Sequence, residues 1–311
     1  MKISLNRSYS FTQLGKRENQ EDSRYPDKDV ASAEQNFFVV CDGVGGEEKG
    51  EVASRTVCNA IASFMEDYNP ESPFVRKDFE QVLRYAYKRL KDASRSGNEE
   101  MATTLTFIAF HSNGCLAAHI GDSRIYQIRP GYGIVYRSSD HSLMNSLVHT
   151  GFFSPDEVKA HPDKNMITRA MCVPDAEREQ AQAATVLLRD IDAGDYFFLC
   201  TDGVLEQLTE NRLLEILELG LPDNEKLALI KDACKGSDDN HTAYLVPVAK
   251  VEKNEEEQQE ELTEASMNET EDSVVTHIIV PDTPIVEDTE CEPSHSWMET
   301  LQSTWRKLFG K

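Results

Sequence analysis

The sequence predicts an α+β fold in which two mainly antiparallel β-sheets pack together and are flanked by helices. Segments rich in Val, Ile, Phe, Tyr and Thr are separated by turn residues, a pattern typical of short strands. Several of these segments follow each other too closely for helical crossovers, so we expect antiparallel pairing. Segments with a helical period lie between runs of strands, which favours packed sheets covered by helices.

Each element is predicted from its own local pattern. The strands cover residues 8–14, 36–41, 104–110, 115–120, 124–128, 133–137, 184–189, 195–201 and 242–248. The helices cover residues 50–68, 75–94, 210–219 and 224–235. In the first helix the apolar positions fall three and four residues apart. They are Val57, Ile61, Phe64, Met65 and Tyr68.

The composition divides the chain into three predicted parts. With 311 residues and 39% hydrophobic content, the chain can bury a substantial core. The net charge is −23, and residues 249–296 alone carry 15 acidic and two basic side chains. We therefore predict a folded domain at 1–248 and an acidic disordered linker at 249–296. Residues 297–311 form a short amphipathic segment, because Trp and Leu recur there at helical spacing.

Charge and cysteine content exclude several classes of protein. An acidic chain without basic patches argues against nucleic-acid binding, which depends on Lys and Arg neutralising phosphates. The seven cysteines form no CxxC pair and their number is odd, so we expect buried thiols in a reducing compartment. The first residues lack the apolar stretch of a signal peptide, and no apolar run is long enough to span a bilayer. These features predict a cytoplasmic protein.

Four short acidic segments, far apart in the chain, have the composition of one metal site. They are residues 19–22 (Asn-Gln-Glu-Asp), 40–46 (Val-Cys-Asp-Gly-Val-Gly-Gly), 200–203 (Cys-Thr-Asp-Gly) and 237–242 (Ser-Asp-Asp-Asn-His-Thr). Carboxylates gathered at one place repel one another unless a hard cation lies between them. The four segments therefore predict a metalloenzyme.

Three of the carboxylates lie at strand ends. Asp42 and Asp202 each follow a predicted strand and precede a glycine, and Asp239 precedes another strand. Such carboxylates can converge at one rim of a sheet packing. For a single Asp-Gly pair a surface turn is the alternative interpretation, and it is the combination that favours a metal site.

Further motifs lie between these segments. In order they are residues 17–22 (Arg-Glu-Asn-Gln-Glu-Asp), 42–46 with 50–54 (Gly-Glu-Val-Ala-Ser), 101–104 (Met-Ala-Thr-Thr), 119–126 (His-Ile-Gly-Asp-Ser-Arg-Ile-Tyr), 140–142 (Asp-His-Ser), 167–170 (Ile-Thr-Arg-Ala), 202–203 and 239–240. Their order and spacing over about residues 8–247 resemble those of bacterial members of the PP2C (metal-dependent, PPM) family of serine/threonine protein phosphatases. Eight ordered motifs are a stronger signal than a lone Gly-rich loop.

The resemblance implies an α-β-β-α sandwich with a centre for two divalent ions, Mn²⁺ or Mg²⁺. Asp42 would bridge the two ions, the carbonyl of Gly43 would complete the first, and Asp202 with Asp239 would hold the second. Oxygen-only ligands suit these hard cations. Water activated by the ions would attack phosphorus in line. Arg17 would bind the phosphate through its planar guanidinium fork.

The resemblance also implies outer positions around this centre. Glu21 and Asp22 would act through water. Asp122 would join Asp202 at a third metal, although a hairpin turn between the strands at 115–120 and 124–128 is an equal alternative for this residue. Residues 141–166 would form a variable flap beside the cleft, with two short helices and a loop.

One position departs from the family pattern. Many eukaryotic relatives place a His directly after the Asp-Gly, where it can protonate the leaving oxygen, but this chain has Val44. The general acid is therefore unassigned. His141 and His161 are candidates by residue type alone, and a structural or surface role is the stronger interpretation of each.

The leading hypothesis is a phosphatase that removes phosphate from serine and threonine in proteins, opposing a bacterial kinase. The alternative is a catalytically weak phosphoprotein-binding or scaffold module that acts through its tail. Residues 297–311 are either the apolar end of a solvated linker or a segment that contacts a partner or a membrane surface or folds back on the catalytic domain. A truncation at about Val248 that left activity, location and partners unchanged would refute the second interpretation of the tail.

Overall fold

A computed structural model describes residues 1–44, 49–94, 101–143, 148, 167–173 and 180–253. Within them the strands are β1 (Lys2–Leu5), β2 (Ser8–Gln13), β3 (Ser23–Tyr25), β4 (Val30–Ala31), β5 (Phe37–Cys41), β6 (Gly43–Val44), β7 (Ala102–Thr103), β8 (Leu105–His111), β9 (Gly114–Ile120), β10 (Arg124–Arg129), β11 (Gly133–Arg137), β12 (Met171–Cys172), β13 (Ala184–Leu188), β14 (Tyr196–Cys200) and β15 (His241–Glu252). The helices are α1 (Lys49–Phe64), α2 (Arg76–Ala93), α3 (Asp202–Leu205), α4 (Glu210–Glu218) and α5 (Asp223–Ala233).

The strands form two large sheets and one small one. The seven-stranded sheet has the order β11-β10-β14-β15-β2-β4, and β1 also pairs with β15. The five-stranded sheet has the order β13-β9-β8-β5-β3, and the small sheet the order β12-β7-β6. Neighbouring strands are antiparallel throughout these sheets, which confirms the predicted pairing.

The two large sheets pack face to face. In β5, Phe38 and Val40 point into the layer between the sheets, while Phe37, Val39 and Cys41 join the core under the helices. Successive strand residues point to opposite faces, so a strand covered on both sides is apolar along its whole length. Strand β14 repeats this arrangement from the other sheet, with its alternate residues in the intersheet layer and in a second helix-covered core.

Helices cover the outer face of each large sheet. Helices α1 and α2 share a buried core with the five-stranded sheet, to which Val57, Ile61 and Phe79 contribute. Helices α4 and α5 share another with the seven-stranded sheet, to which Leu213 and Ile230 contribute. The layers are therefore helix, sheet, sheet, helix, and the predicted α+β sandwich is confirmed.

The observed elements differ from the predicted ones mainly at their ends. All nine predicted strands and four predicted helices are present, β11 with the predicted bounds and the others with shifted ones. Strand β15 continues to Glu252 because β1 pairs with its second half, from Leu5 opposite Val248 to Lys2 opposite Glu252. Residues 249–252, predicted to begin the acidic linker, are thus strand residues. Linker residues 254–296, the segment 297–311 and His161 lie outside the described residues, as does most of the predicted flap.

Two other expectations concern the whole chain. Of the cysteines in the described part, Cys172 is half-buried and the other five are buried, and all six are free thiols. No helix in the described ranges is both long and apolar enough to cross a membrane.

Candidate metal centre at one rim of the sandwich

The strand registers bring the predicted carboxylates to one rim. Arg124 at the start of β10 lies opposite Cys200 at the end of β14, which lies opposite Ala243 near the start of β15. In the other sheet, Ser23 at the start of β3 lies opposite Cys41 at the end of β5. The loop residues just beyond these strand ends are the five aspartates of the predicted site. They are Asp22, Asp42, Asp122, Asp202 and Asp239.

Asp42 is held by its backbone. Its amide donates to the Thr104 hydroxyl (3.0 Å), and its carbonyl accepts from the Thr104 amide (2.8 Å) and from the Thr103 hydroxyl (2.9 Å). The next residue, Gly43, donates its amide to the Glu21 carbonyl (3.1 Å). A Cβ at Gly43 would lie 2.3 Å from the Gly50 carbonyl oxygen, so only glycine fits where these segments meet. These contacts fix the backbone from which the Asp42 carboxylate projects.

Asp202 and Asp239 are brought together by two touching loops. Asp202 is the first residue of α3, directly after β14. A Cβ at Gly203 would lie 2.0 Å from the Asn240 carbonyl oxygen, so the loop before β15 rests on this glycine. The Ser237 hydroxyl also donates to the Gly203 carbonyl (2.8 Å). Gly203 therefore packs against the loop before β15, while its neighbour Asp202 supplies a carboxylate.

Asp22 lies at the buried floor of the site. Its side chain is 6% exposed, and Oδ2 accepts from the Thr201 hydroxyl at 3.0 Å. Its other oxygen, Oδ1, is buried without a hydrogen-bond partner among the described residues, and so is Oδ1 of Asp202. Buried polar atoms are almost always paired. Two unpaired carboxylate oxygens at one rim indicate a missing positive partner.

The carboxylates also raise one another's pKa. Burial raises the pKa of Asp22 to about 8, against hydrogen bonds that lower it and with the charges of Asp202 and Asp239 adding to the rise. Burial, followed by the charges of Asp22 and Asp202, raises the pKa of Asp42 well above its ordinary value. The pKa of Asp202 is raised by burial and by Asp239. Ionising all of them together is therefore costly without a cation.

Arg17 lies at the mouth of the site. Its Nη2 donates to Asp239 Oδ2 at 2.7 Å, and its side chain is 55% exposed. Burial lowers the pKa of Arg17, but the neighbouring charges of Asp239, Glu21 and Asp42 outweigh it and leave the pKa raised. Gly15, with φ of +62°, turns the chain so that Arg17 reaches Asp239. The guanidinium is thus charged, accessible and beside the carboxylates.

Asp122 occupies a crossing between the two sheets. Strand β9 belongs to the five-stranded sheet and β10 to the seven-stranded one, so residues 121–123 do not close a hairpin. The hairpin interpretation is wrong because two closely spaced strands need not pair. Burial, and then the charge of Asp202, raises the pKa of Asp122 to about 7. Asp122 therefore belongs electrostatically to the same rim.

The site residues fit a hard cation in chemistry, although they do not yet enclose one. Among the residues that the structure describes, no three His, Cys, Asp or Glu side chains are already set around one ion position. Asp239 Oδ2, for example, is turned to Arg17. The mutual rise in pKa and the two unpaired oxygens nevertheless show crowded, uncompensated carboxylates. An oxygen-only donor set of this kind suits Mn²⁺ or Mg²⁺.

Comparison with known proteins identifies the family of this chain. The family model described as protein phosphatase 2C matches residues 15–265. The chain belongs to the protein phosphatase 2C family. It is 32% identical over 251 residues to the protein phosphatase PhpP of Streptococcus pneumoniae, covering 79% of this chain and 97% of PhpP. It is 30% identical to the serine/threonine protein phosphatase PstP of Mycobacterium tuberculosis, covering 74% of this chain but only 42% of PstP.

Solved structures of PP2C relatives show the same fold. The crystal structure of the M. tuberculosis serine/threonine phosphatase PstP/Ppp has a TM-score of 0.68 at 27% identity and covers 79% of this chain and all of that one. A PstP catalytic domain in complex with two manganese ions has a TM-score of 0.64, also at 27% identity, and the match covers 80% of this chain and 100% of that chain. The predicted family is therefore confirmed, and the roles of individual residues stay predictions.

Sequence reasoning missed the polar side chains that support the PP2C carboxylates. Thr104 holds Asp42, Thr201 holds Asp22, and the Asn240 side chain accepts from the Glu21 amide (2.8 Å). Thr104 and Asn240 lie within the quoted motifs, which was the available signal. Their roles depend on contacts between distant segments, so the motifs alone did not reveal them.

Of the two candidate histidines for protonating the leaving oxygen, only His141 lies in the described part of the chain. Val44 lies in β6 opposite Ala102 and has no proton to give. His141 accepts from the Gly121 amide through Nδ1 (3.1 Å) and stacks on His119 at 4.6 Å between ring centroids. Burial, with the nearby His119 and Arg169, lowers the pKa of His141 to about 3. These contacts favour the structural interpretation of His141, and its role stays a prediction.

Proposed function

We propose that this chain hydrolyses phosphoserine and phosphothreonine in proteins with the help of two divalent ions. The observation that carries the proposal is a rim of buried and half-buried aspartates in which Asp22 Oδ1 and Asp202 Oδ1 lack a hydrogen-bond partner among the described residues, with an exposed arginine beside them. The PP2C relatives are named as protein phosphatases, and one solved relative holds two manganese ions. The chain spans less than half of PstP but nearly all of PhpP.

The carboxylates have distinct places in this proposal. Asp42, with the Gly43 carbonyl, would hold one ion, and Asp202 with Asp239 would hold the second, with Asp42 shared between them. Glu21 and Asp22 would act through water, and Asp122 would contribute to a third ion. When bound, the ions, Mn²⁺ or Mg²⁺, supply Lewis-acid activation of water and neutralise charge on the phosphoryl group.

Arg17 would bind the phosphoryl group. Its guanidinium already pairs with an anionic oxygen, Asp239 Oδ2, at 2.7 Å, and more than half of the side chain faces solvent. A planar fork of N–H donors matches two phosphate oxygens. Positioning the substrate in this way reduces the entropic part of the barrier.

The wider assignments belong to the same proposal. The substrates would be phosphorylated proteins in the cytoplasm, made by a cognate serine/threonine kinase. The predicted division into 1–248, 249–296 and 297–311 stays a prediction, and so does a contact of the last segment with a partner or membrane surface.

Two neighbouring aspartates give a matched test of this function. Asp239→Asn should lower Mn²⁺-dependent hydrolysis of p-nitrophenyl phosphate and of a phosphothreonine peptide by at least about 100-fold, since even supporting groups of a metal site cost that much. Asp238→Asn should leave hydrolysis unchanged, because Asp238 is exposed and pairs with Lys16. Hydrolysis that survives both EDTA and Asp202→Asn would contradict the proposal. Phosphopeptide binding without phosphate release would instead indicate the scaffold module.

A further inference from the structure

Gly121, the residue before Asp122, is held on both sides by a single residue. The Gly121 amide donates to Nδ1 of His141 (3.1 Å), and the Gly121 carbonyl accepts from the His141 amide (2.9 Å). Both hydrogen-bonding groups of the Gly121 backbone are therefore used by His141. Since Asp122 follows directly, the direction in which its side chain leaves the turn depends on this pair of contacts.

The ring of His141 is itself fixed in place. It stacks on His119, with centroids 4.6 Å apart and planes 11° apart. The Nε2 atom of His119 lies 2.8 Å from the Ser139 carbonyl oxygen. On the other side of the turn, Arg124 grips both oxygens of Asp140, at 2.7 and 2.6 Å. Gly121 before Asp122 and Arg124 after it therefore both form hydrogen bonds with the segment that carries His141.

The opposite face of the turn rests on Thr104, which also holds Asp42. A Cβ at Gly121, which has φ of +104°, would lie 2.7 Å from the Thr104 methyl group. The Thr104 hydroxyl accepts from the Asp42 amide and lies 2.7 Å from the Ser123 hydroxyl. Thr104 and His141 together set the position of Asp122 relative to Asp42.

We propose that His141 is a positioning residue for Asp122, acting through the Gly121 amide. The inference rests on the proposed function only in taking Asp122 as a cation ligand. What matters is an acceptor at the position of Nδ1, because without one the Gly121 N–H loses its partner and the turn can rotate. Hydrogen bonds that orient a ligand from outside typically change metal affinity 10- to 100-fold when they are removed.

Two substitutions at His141 test the hydrogen-bond acceptor and the stacked ring separately. His141→Phe keeps an aromatic ring to stack on His119 but has no acceptor, whereas His141→Asn places its amide oxygen near the position of Nδ1 and loses the stack. Mn²⁺ binding to the full chain is measured by titration calorimetry, and Asp122→Asn identifies the binding step that depends on Asp122. We expect His141→Phe to weaken that step about tenfold and His141→Asn to stay within about threefold of wild type. The other steps should not change.

Wild-type affinity for that step in a folded His141→Phe protein would overturn the proposal, as would an Asp122→Asn protein that loses no binding step. If His141→Phe does not fold, His141→Gln takes its place, because its longer amide cannot put an acceptor at the position of Nδ1. Equal affinity of the Gln and Asn variants would then overturn the proposal. The measurement requires no turnover, so a wild type that binds Mn²⁺ but hydrolyses no phosphopeptide would refute the proposed function and leave this inference standing.

Discussion

Strand β14 has an aspartate at each end, and among the described residues only Asp195 has hydrogen-bond donors to both of its carboxylate oxygens. Asp195 directly precedes the strand and is fully buried, with Arg129 Nε and Gln127 Nε2 each 2.8 Å from one of its oxygens. Asp202 follows the strand, and its Oδ1 is buried without a hydrogen-bond partner in the described part of the chain. Two aspartates that flank the same strand therefore differ in whether their carboxylate oxygens are hydrogen-bonded.

This difference separates a structural carboxylate from a functional one. A buried charge is tolerated when hydrogen bonds and an opposite charge compensate it, as they do for Asp195. At the other end of β14 the described residues provide no such partner for Asp202 Oδ1, and burial and Asp239 raise the pKa of Asp202. Clustered groups with raised pKa values are typical of sites that bind or react. The stability of each end should therefore respond differently to substitution.

The largest difference is expected for the two aspartates of β14. In EDTA, Asp195→Asn should lower the free energy of unfolding by about 3 kcal/mol, since it breaks a buried ion pair while Arg129 keeps only its more exposed partners Asp190 (3.0 Å) and Asp192 (3.1 Å). Asp202→Asn should raise it by about 1 kcal/mol, because it removes a charge that burial and its neighbours disfavour. Urea unfolding followed by circular dichroism measures both. Equal destabilisation would mean that Asp202 has a structural partner and that the two ends do not differ.

A smaller effect is expected in the pH dependence of stability. A carboxyl group whose pKa is higher in the folded chain holds its proton there while the unfolded chain, with a pKa of about 3.9, releases it. Stability therefore falls as pH rises between the two values. For Asp22, with a folded pKa of about 8, the fall is about 1.4 kcal/mol per pH unit.

Asp22→Asn isolates this contribution. Relative to wild type in EDTA, the variant should gain about 1.4 kcal/mol per pH unit from about pH 5.5 to 7.5. Histidines with lowered pKa, such as His111 and His141, act in the opposite direction below about pH 6.5 but cancel in the difference. Parallel stability curves for the two proteins would show that Asp22 is already ionised in the folded chain.

The sequence predicted those parts of the fold that have a local pattern. Strands β5 and β14 are apolar on both faces, so their runs are easy to identify. The two-residue strands β6 and β7 are too short to show any period, and their pairing depends on how distant segments meet. The crossing at Asp122 was open to a hairpin interpretation for the same reason, since spacing alone does not show in which sheet a strand lies.

The candidate site shows the same division. Asp42 and Asp202 were predicted because each lies between an apolar strand and a glycine, a feature visible in a few residues. Thr201 was not predicted as the donor to Asp22, because the two are joined only by the fold at 3.0 Å. Asp195 carried no signal at all, since a lone Asp before a strand gives no hint of a buried partner far away in sequence.

The smallest effect on stability is expected for the arginine at the rim. Arg17 and Arg129 both pair with an aspartate, but the Arg17 and Asp239 side chains are 55% and 27% exposed, against 22% and 0% for Arg129 and Asp195. Arg17→Ala should therefore change the free energy of unfolding by about 0.5 kcal/mol or less. The same substitution should raise KM for a phosphopeptide about tenfold, because a charged contact with the phosphate is lost. Lys16→Ala, beside it, should change neither quantity. If Arg17→Ala were as destabilising as Arg129→Ala, the pair at the rim would be structural, and the contrast between the two ends of β14 would not extend to their arginines.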